Sequence, residues 1–280
     1  MQRDAGGGKA ERDAGARPPE GLNTSTPNIA RMHHYFLGGR ETFQADRVAA
    51  ERALAALPAM RTSAIASRQF LRRAVTFLVG EAGIDQFLDI GPGLPAKGAV
   101  HEVAHEVNPR ARVVYADYDP IVVSHGNAML AHSDQSVVVQ ADLRQPDELL
   151  RVPAVRQHLD FDRPVALLLL AIVHFVSDAD DPAGIIARLR DALPPGSYLA
   201  LTHVSADLVA DKEAARRALA AYEKANARGW SRSRAQILRF FDGFELVAPG
   251  LVPKPRWRPL PGDPAADLPD ISWAGVGKKS

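Results

Sequence analysis

Apolar positions along this chain change their spacing near residue 86. Before that point they recur three or four residues apart. Residues 28–57 carry such a pattern, broken at Gly38-Gly39 and closed by Pro58, which predicts two short helices around a glycine turn. Residues 61–79 predict a longer helix whose apolar positions are Ile65, Phe70, Leu71, Ala74, Val75 and Leu78. From Gln86 onward, short apolar runs alternate with helical stretches. Strands are predicted at 87–90, 112–116, 136–140, 165–172 and 198–202. Between them lie a helical stripe of Val100, Val103, Ala104 and Val107, and helices at 121–131 and 183–193. The run 165–172 is wholly apolar, the texture of a central strand covered on both faces. Alternation of this kind builds a parallel sheet with right-handed crossovers.

The last third behaves differently. An amphipathic helix is expected over 211–227, and Ser233 with Gln236 forms a capping box for the next helix. Two late strands are predicted at 244–248 and 271–276, separated by a proline-rich loop, 249–269. An antiparallel pair after five α/β strands makes a seven-stranded, mostly parallel sheet. That describes the Rossmann-like class I methyltransferase fold better than a double dinucleotide-binding unit.

Composition narrows the function. The 280 residues include no cysteine, which excludes disulfides, thiolate zinc sites and cysteine nucleophiles, and suits a reducing cytoplasmic setting. A net charge of +1 gives no broad basic field for nucleic acid. No apolar run approaches the roughly 20 residues that span a bilayer, so no membrane partner is expected. Residues 1–26 are polar and Gly/Pro-rich, without the apolar stretch of a secretory signal, and read as a disordered tail.

The candidate chemistry gathers where predicted strands end. Asp89-Ile90-Gly91-Pro92-Gly93 is a strand-to-helix turn whose glycines let backbone approach a ligand. A dinucleotide fingerprint wants a third glycine at Ala96, which is absent. An ordinary tight turn remains the bland alternative. Asp117 ends the second strand, where a carboxylate accepts both hydroxyls of a ribose, and Asp119 can share that role. Tyr118 can cover an adenine face. Asp142 with the Leu143 amide can meet adenine's edge, or Asp142 can simply cap a helix. Ala171, closing the fourth strand, completes the cofactor-binding set. His174 and His203 follow the fourth and fifth strands and are candidates to orient an acceptor or take its proton, against the commoner fate of a buried, satisfied histidine. The segment 31–40 packs basic, aromatic and glycine residues outside the sheet. It is expected to fold over the cofactor as a lid, with Tyr35 for stacking or catalysis, an arginine for a carboxylate and Gly38 and Gly39 at the turn; a plain N-terminal helix packed on the sheet, its charges solvated, is the alternative, and both can hold at once. His101-Glu102-Val103-Ala104-His105 matches a zinc-protease pattern, but a sheet-covering helix is a poor place for an open metal cleft. No metal is expected.

These residues resemble the S-adenosyl methyltransferase family of high-GC bacteria, formerly a domain of unknown function within the class I superfamily. The carriers include Tyr35-Phe36-Leu37-Gly38-Gly39, Gln86-Phe87-Leu88-Asp89-Ile90-Gly91, Asp142-Leu143-Arg144, His174-Phe175 and Phe240-Phe241-Asp242-Gly243-Phe244. The resemblance runs from about Pro27 to Lys278. It implies an S-adenosylmethionine (SAM) pocket built from the Asp89 turn, Asp117 and Asp142, and leaves the acceptor open. Ala96 and Ala99 stand where the family usually has threonine and asparagine, Ser67 where asparagine is usual, and His34 where an acid is common. The expected organisation is a tail at 1–26, a helical segment at 27–80, and a SAM-binding domain at 81–280 with an acceptor-side insertion near 205–232. The expected function is methyl transfer to a small molecule. The alternative is a SAM-binding, non-catalytic protein, favoured by the bare side chains at Ala96 and Ala99.

Overall fold

The computed structural model describes residues 23–260 and 270–280. The expected tail lies outside the described residues up to position 22, as does part of the proline-rich loop. Residues 23–26, read as tail, are fastened to the body: the Arg31 guanidinium donates to the carbonyls of Asn23 and Thr26.

Among the described residues, eight strands make the sheet: β1 (Gln86–Ile90), β2 (Arg112–Asp117), β3 (Ser136–Gln140), β4 (Ala166–Leu170), β5 (Tyr198–Val204), β6 (Phe244–Leu246), β7 (Val252–Pro253) and β8 (Ser272–Lys279). Their order is β3-β2-β1-β4-β5-β8-β6, with β7 also paired to β8. The first five are parallel, and β8 runs antiparallel to β5, β6 and β7. Seven strands were expected. The eighth, β7, is a two-residue pairing ending in Pro253, which lacks an N–H and is tolerated only at such a margin.

The period of two along each strand divides the core. In β4, Ala166 and Leu168 face one side, while Leu167 and Leu169 face the other. The first side is covered by α3 (Ala59–Gly80) and α4 (Val100–Val107), with Trp257 edge-on to Phe70 and Phe77 at 5.3 and 5.9 Å. The second is covered by α6 (Pro146–Arg151), α7 (Pro153–His158), α8 (Pro182–Asp191) and α10 (Arg234–Leu238). Between β2 and β3 lies α5 (Pro120–Met129), started by an Asp119 cap and a first-turn proline. No helix among the described residues is long and apolar enough to cross a membrane.

Outside this sandwich, α1 (Ile29–Phe36) and α2 (Gln44–Ala56) form the expected pair around the Gly38-Gly39 turn. Asp46 ties them: its buried carboxylate accepts from the Asn28 and Phe43 amides and from Arg31 Nε at 2.6 Å. Three sequence expectations change. Ile65, counted in the stripe of α3, is 44% exposed, and Val107 at the end of α4 is exposed too. The helix expected over 211–227 is only α9 (Lys212–Ala220), followed by turns. Its continuation is given up because Asn226 is claimed elsewhere: its amide donates to the Pro27 carbonyl, and its side chain binds Ile29 N and the Tyr118 hydroxyl.

Candidate functional site

Strand order reverses between β1 and β4, and open α/β sheets bind ligands outside the strand ends at such a point. A deep pocket lies there, floored by the ends of β1, β2 and β4, walled by α3, and roofed by α1.

The loop after β1 forms its inner edge. Gly91 has φ +73° and Gly93 φ +70°, a region glycine enters without penalty. A Cβ on Gly91 would sit 2.5 Å from Ile172 Cγ1, so no larger residue fits. Gly93 N–H donates to Asp117 Oδ2 at 3.3 Å, and Asp119 N–H to Asp117 Oδ1 at 3.0 Å. Both neighbouring acids are buried. Burial pushes the Asp89 pKa up to about 7, with Arg68 pulling the other way and Asp117 adding to the rise. Burial likewise lifts Asp117 to about 6 against the hydrogen bonds it accepts. Ala171 closes β4 with φ +58°, an uncommon conformation for a non-glycine residue, and its N–H is held by Thr202 Oγ1 at 2.8 Å. It lines the pocket.

The roof is latched to the floor. Asn28 Nδ2 donates to Asp119 Oδ2 at 2.5 Å, while Asp119 Oδ1 caps α5 through Ile121 N–H. The Asp119 carboxylate is therefore shared between lid and helix cap. Tyr118 accepts from Asn226 Nδ2 through its hydroxyl. Asp142 and Leu143 line a smaller adjoining cleft together with Ile90, Tyr118 and Val176. Burial raises the Asp142 pKa, but bonds from Arg144 outweigh it and hold the group below the ordinary carboxylate value.

The lid places its residues differently from the sequence expectation. Ile29, Ala30, His33 and Phe36 line the pocket. Tyr35 does not: its hydroxyl donates to Glu51 on α2 at 2.9 Å. Gly38 and Gly39 form the turn beyond the pocket wall, and Arg31 is committed to Asp46. Among the described residues two cations line the pocket: Lys254, and Arg68 from α3, whose Ser63, Ser67, Arg68 and Leu71 share one face at helical spacing. Arg68 Nη2 donates to the carbonyls of Ala96 and Lys97, holding the loop whose side chains at Ala96 and Ala99 are bare. Its Nε is buried without a hydrogen-bond partner among the described residues. Glu102 reaches back to Gly98 N–H at 2.6 Å, supplying the start of α4 that Ala99 cannot cap. Lys254 is buried beside the same face, donating to Ser63 and Ser67, with Asp270 at 3.5 Å. Arg68 is one of three polar members of that α3 face, with Ser63 and Ser67, a pattern that does not by itself mark a pocket. Lys254 sits in the proline-rich loop, where no periodicity marks it.

The histidines divide. His203 Nδ1–H donates to the Val204 carbonyl at 2.7 Å, so Nε2 accepts from Arg232 at 3.0 Å. Both nitrogens are used, and burial drives its pKa down to about 3. Arg232 also grips the turn that carries His174, donating to the carbonyls of Val173 and Val176 and to Asp178. His174 lines the pocket, its Nδ1 is without a partner among the described residues, and burial keeps it neutral. His101 and His105 are occupied by Tyr115 and the Ala111 carbonyl.

Residues 15–280 match the family model for S-adenosyl methyltransferases. The chain belongs to that family. A DUF574 family protein from Streptomyces avermitilis is 38% identical, with a TM-score of 0.87 over 92% of this chain and 99% of that one. A candidate methyltransferase from Thermobifida fusca is 42% identical, with a TM-score of 0.87 over 94% and 98%. The mitomycin 7-O-methyltransferase MmcR, 15% identical with a TM-score of 0.51 over 80% and 57%, shares the fold. No curated protein matches the chain. Membership makes this a SAM-dependent methyltransferase with the Rossmann-like class I fold. The pocket suits the family's cofactor. Gly93 leaves its backbone open to close approach, since a Cβ there would meet nothing nearer than Ala30 Cβ at 3.9 Å, and Arg68 Nε, without a partner among the described residues, can meet an anion.

Proposed function

We propose that this methyltransferase acts on a small-molecule oxygen, nitrogen or carbon nucleophile, and that the pocket's residues divide the cofactor's parts among them. The observation that carries this reading is one continuous pocket under α1 that holds Arg68, Asp89, Asp117 and His174 together. A roof fastened through Asn28 and Asn226 leaves room for small partners rather than for a folded macromolecule. SAM supplies a methyl group on a sulfonium, already a good leaving system. The protein's task is to hold both reactants in line and exclude water, which can contribute about 7–11 kcal/mol of the barrier.

In this reading Arg68 faces the cofactor's carboxylate and Asp89 its ammonium, a matched pair for a zwitterion. The open backbone at Gly93 lets the methionine portion lie close, while Ile172 packs on Gly91 and holds the turn. Asp117 accepts the ribose hydroxyls, Tyr118 and Leu143 border the adenine, and Asp142 faces its amino group. Asp119 acts through the latch, and Ala171 shapes the floor. His174 is the acceptor-side proton acceptor. His203 and Arg232 position it and take no proton themselves. Tyr35, Gly38 and Gly39 leave the site.

Incubation with methyl-labelled SAM and a fractionated cell extract tests this. Label is expected in the dialysable fraction, and label confined to protein or nucleic acid would overturn the small-molecule assignment. Tyr35→Phe is expected to leave the SAM dissociation constant unchanged, since it removes only an exposed hydrogen bond to Glu51. A large loss measured by calorimetry would return Tyr35 to the site.

Proton linkage gives a further expectation. Asp89 and Asp117 carry protons below about pH 6 in the free protein, and a cationic ligand favours their charged forms. SAM affinity should therefore rise between about pH 5.5 and 7.5, by up to about tenfold per unit for each proton released. Calorimetry in buffers of different ionisation enthalpy reads that release directly. A pH-independent affinity with no proton release would count against both assignments.

A further inference from the structure

A second cavity opens off the cofactor pocket on its far side. Met60, His174, Phe175, Val204, Tyr222 and Ile271 border both spaces, so His174 stands at the junction. Beyond the junction the walls are apolar: Leu57 from the α2–α3 connection, Val209, and Ala218 and Leu219 of α9. The space exists because α9 presents alanines here, Ala215 and Ala218, where larger side chains would fill it. No charged side chain lines it among the described residues. Each of its two serines accepts one internal bond, Ser205 Oγ from the Asp207 amide and Ser231 Oγ from the Ala206 amide, and keeps its O–H to donate.

Besides those hydroxyls, the neutral His174 ring and the Tyr222 hydroxyl can meet a guest at the junction; Tyr222 is buried, and burial alone pushes its pKa up. The segment that walls the chamber also fixes His174. Trp230 N–H donates to the His174 carbonyl at 2.7 Å, and Arg232 binds the carbonyls on either side of it.

We propose that this chamber binds the methyl acceptor, and that the acceptor is an uncharged, largely apolar molecule presenting one hydroxyl or un-ionised N–H at the His174 end. This rests on the proposed placement of SAM in the adjoining pocket. An ionised guest would lose its hydration with no opposite charge to replace it. An apolar one exchanges water for the alanine and leucine walls, with few polar groups to orient it. In the reaction, the acceptor's lone pair forms the new bond to the methyl carbon. The carbon–sulfur bond breaks with its electron pair going to sulfur, and the acceptor's proton passes to a His174 ring nitrogen and on to water. The products are the methylated acceptor, S-adenosylhomocysteine (SAH) and one proton.

The test measures binding of 2-naphthol and of 2-naphthoate, similar in shape but opposite in ionisation at neutral pH, to protein saturated with SAH. Naphthol is expected to bind at least about tenfold more tightly than naphthoate. Ala218→Phe should weaken naphthol by at least about tenfold while leaving the SAH dissociation constant unchanged. If that variant disturbs α9 and SAH binding falls, Val209→Phe on another wall carries the same expectation. Equal binding of the two probes, no binding of naphthol, or naphthol binding untouched by a chamber-filling variant that keeps SAH affinity would overturn the inference. Failure of the unsubstituted protein to bind SAH at all would instead remove the cofactor placement beneath it.

Discussion

Asp117→Ala is expected to weaken both SAM and SAH binding by about two orders of magnitude. The carboxylate sits at the end of β2, buried, and two of its acceptor positions are taken by the amides of Gly93 and Asp119. An ionised carboxylate has about four such positions, so two remain for a ribose. Hydrogen bonds to a charged group contribute about 1.5–3 kcal/mol each, so losing two costs at least about 3 kcal/mol. Asp117→Asn separates binding from folding. The ordinary Asp pKa of 3.8 is raised to about 6 in the folded protein. A raised acid favours the folded state fully below its unfolded pKa, and that contribution is lost as pH rises through the folded one. The asparagine variant, with no charge to bury, should therefore melt higher than the unsubstituted protein near pH 8 and equally near pH 4 in the ligand-free state. Its SAM affinity should still fall by about tenfold or more. A variant that binds normally would remove the ribose assignment, and one that loses stability at high pH would show that the carboxylate is held by its partners rather than strained by burial.

What the sequence made legible is what a parallel sheet gathers by itself. Strand ends in such a sheet share one edge, so Asp89, Gly91, Asp117, Asp142, Ala171 and His174 come together once the strands are placed. The strands were placed by their apolar runs, and the class I arrangement followed from the late antiparallel strands. Residues brought in by other elements escaped. Arg232 and Asn226 lie in the segment after α9, Asn28 caps α1 and Arg68 lies on α3, so only tertiary packing brings them to the edge. Tyr35 shows the same limit within one helix. Consecutive positions on a helix point about 100° apart, so the turn that sends Phe36 inward sends Tyr35 toward Glu51. The expected long helix after residue 211 failed for the opposite reason. Its composition suits a helix throughout, but the bonds of Asn226 to Pro27, Ile29 and Tyr118 need a different backbone.

Gly91→Ala should cost about 2–5 kcal/mol of stability and abolish tight SAM binding with it. Two separable causes act at this position. The backbone φ of +73° costs an L-residue about 1–2 kcal/mol. The new methyl would also lie 2.5 Å from Cγ1, 2.7 Å from Cδ1 and 2.9 Å from Cβ of Ile172. Relieving that overlap by moving side chain or loop costs about 1–3 kcal/mol more. The loop cannot shift freely, because Gly91 N–H is bonded to the Ala116 carbonyl and Gly93 N–H to Asp117. Movement there pulls the glycine turn away from Asp117, the acid proposed to hold the cofactor's ribose, which couples the stability loss to the binding loss. A double-mutant cycle with Ile172→Ala resolves the two causes. That change deletes Cγ1 and Cδ1, so Gly91→Ala should cost about 1–2 kcal/mol less in its background, read from denaturant melts. The remainder is the dihedral cost together with the 2.9 Å contact to the Cβ that alanine keeps at position 172. An equal cost in both backgrounds would mean that Cγ1 and Cδ1 of Ile172 give way freely, and that the strained φ with the Cβ contact reserves this position for glycine.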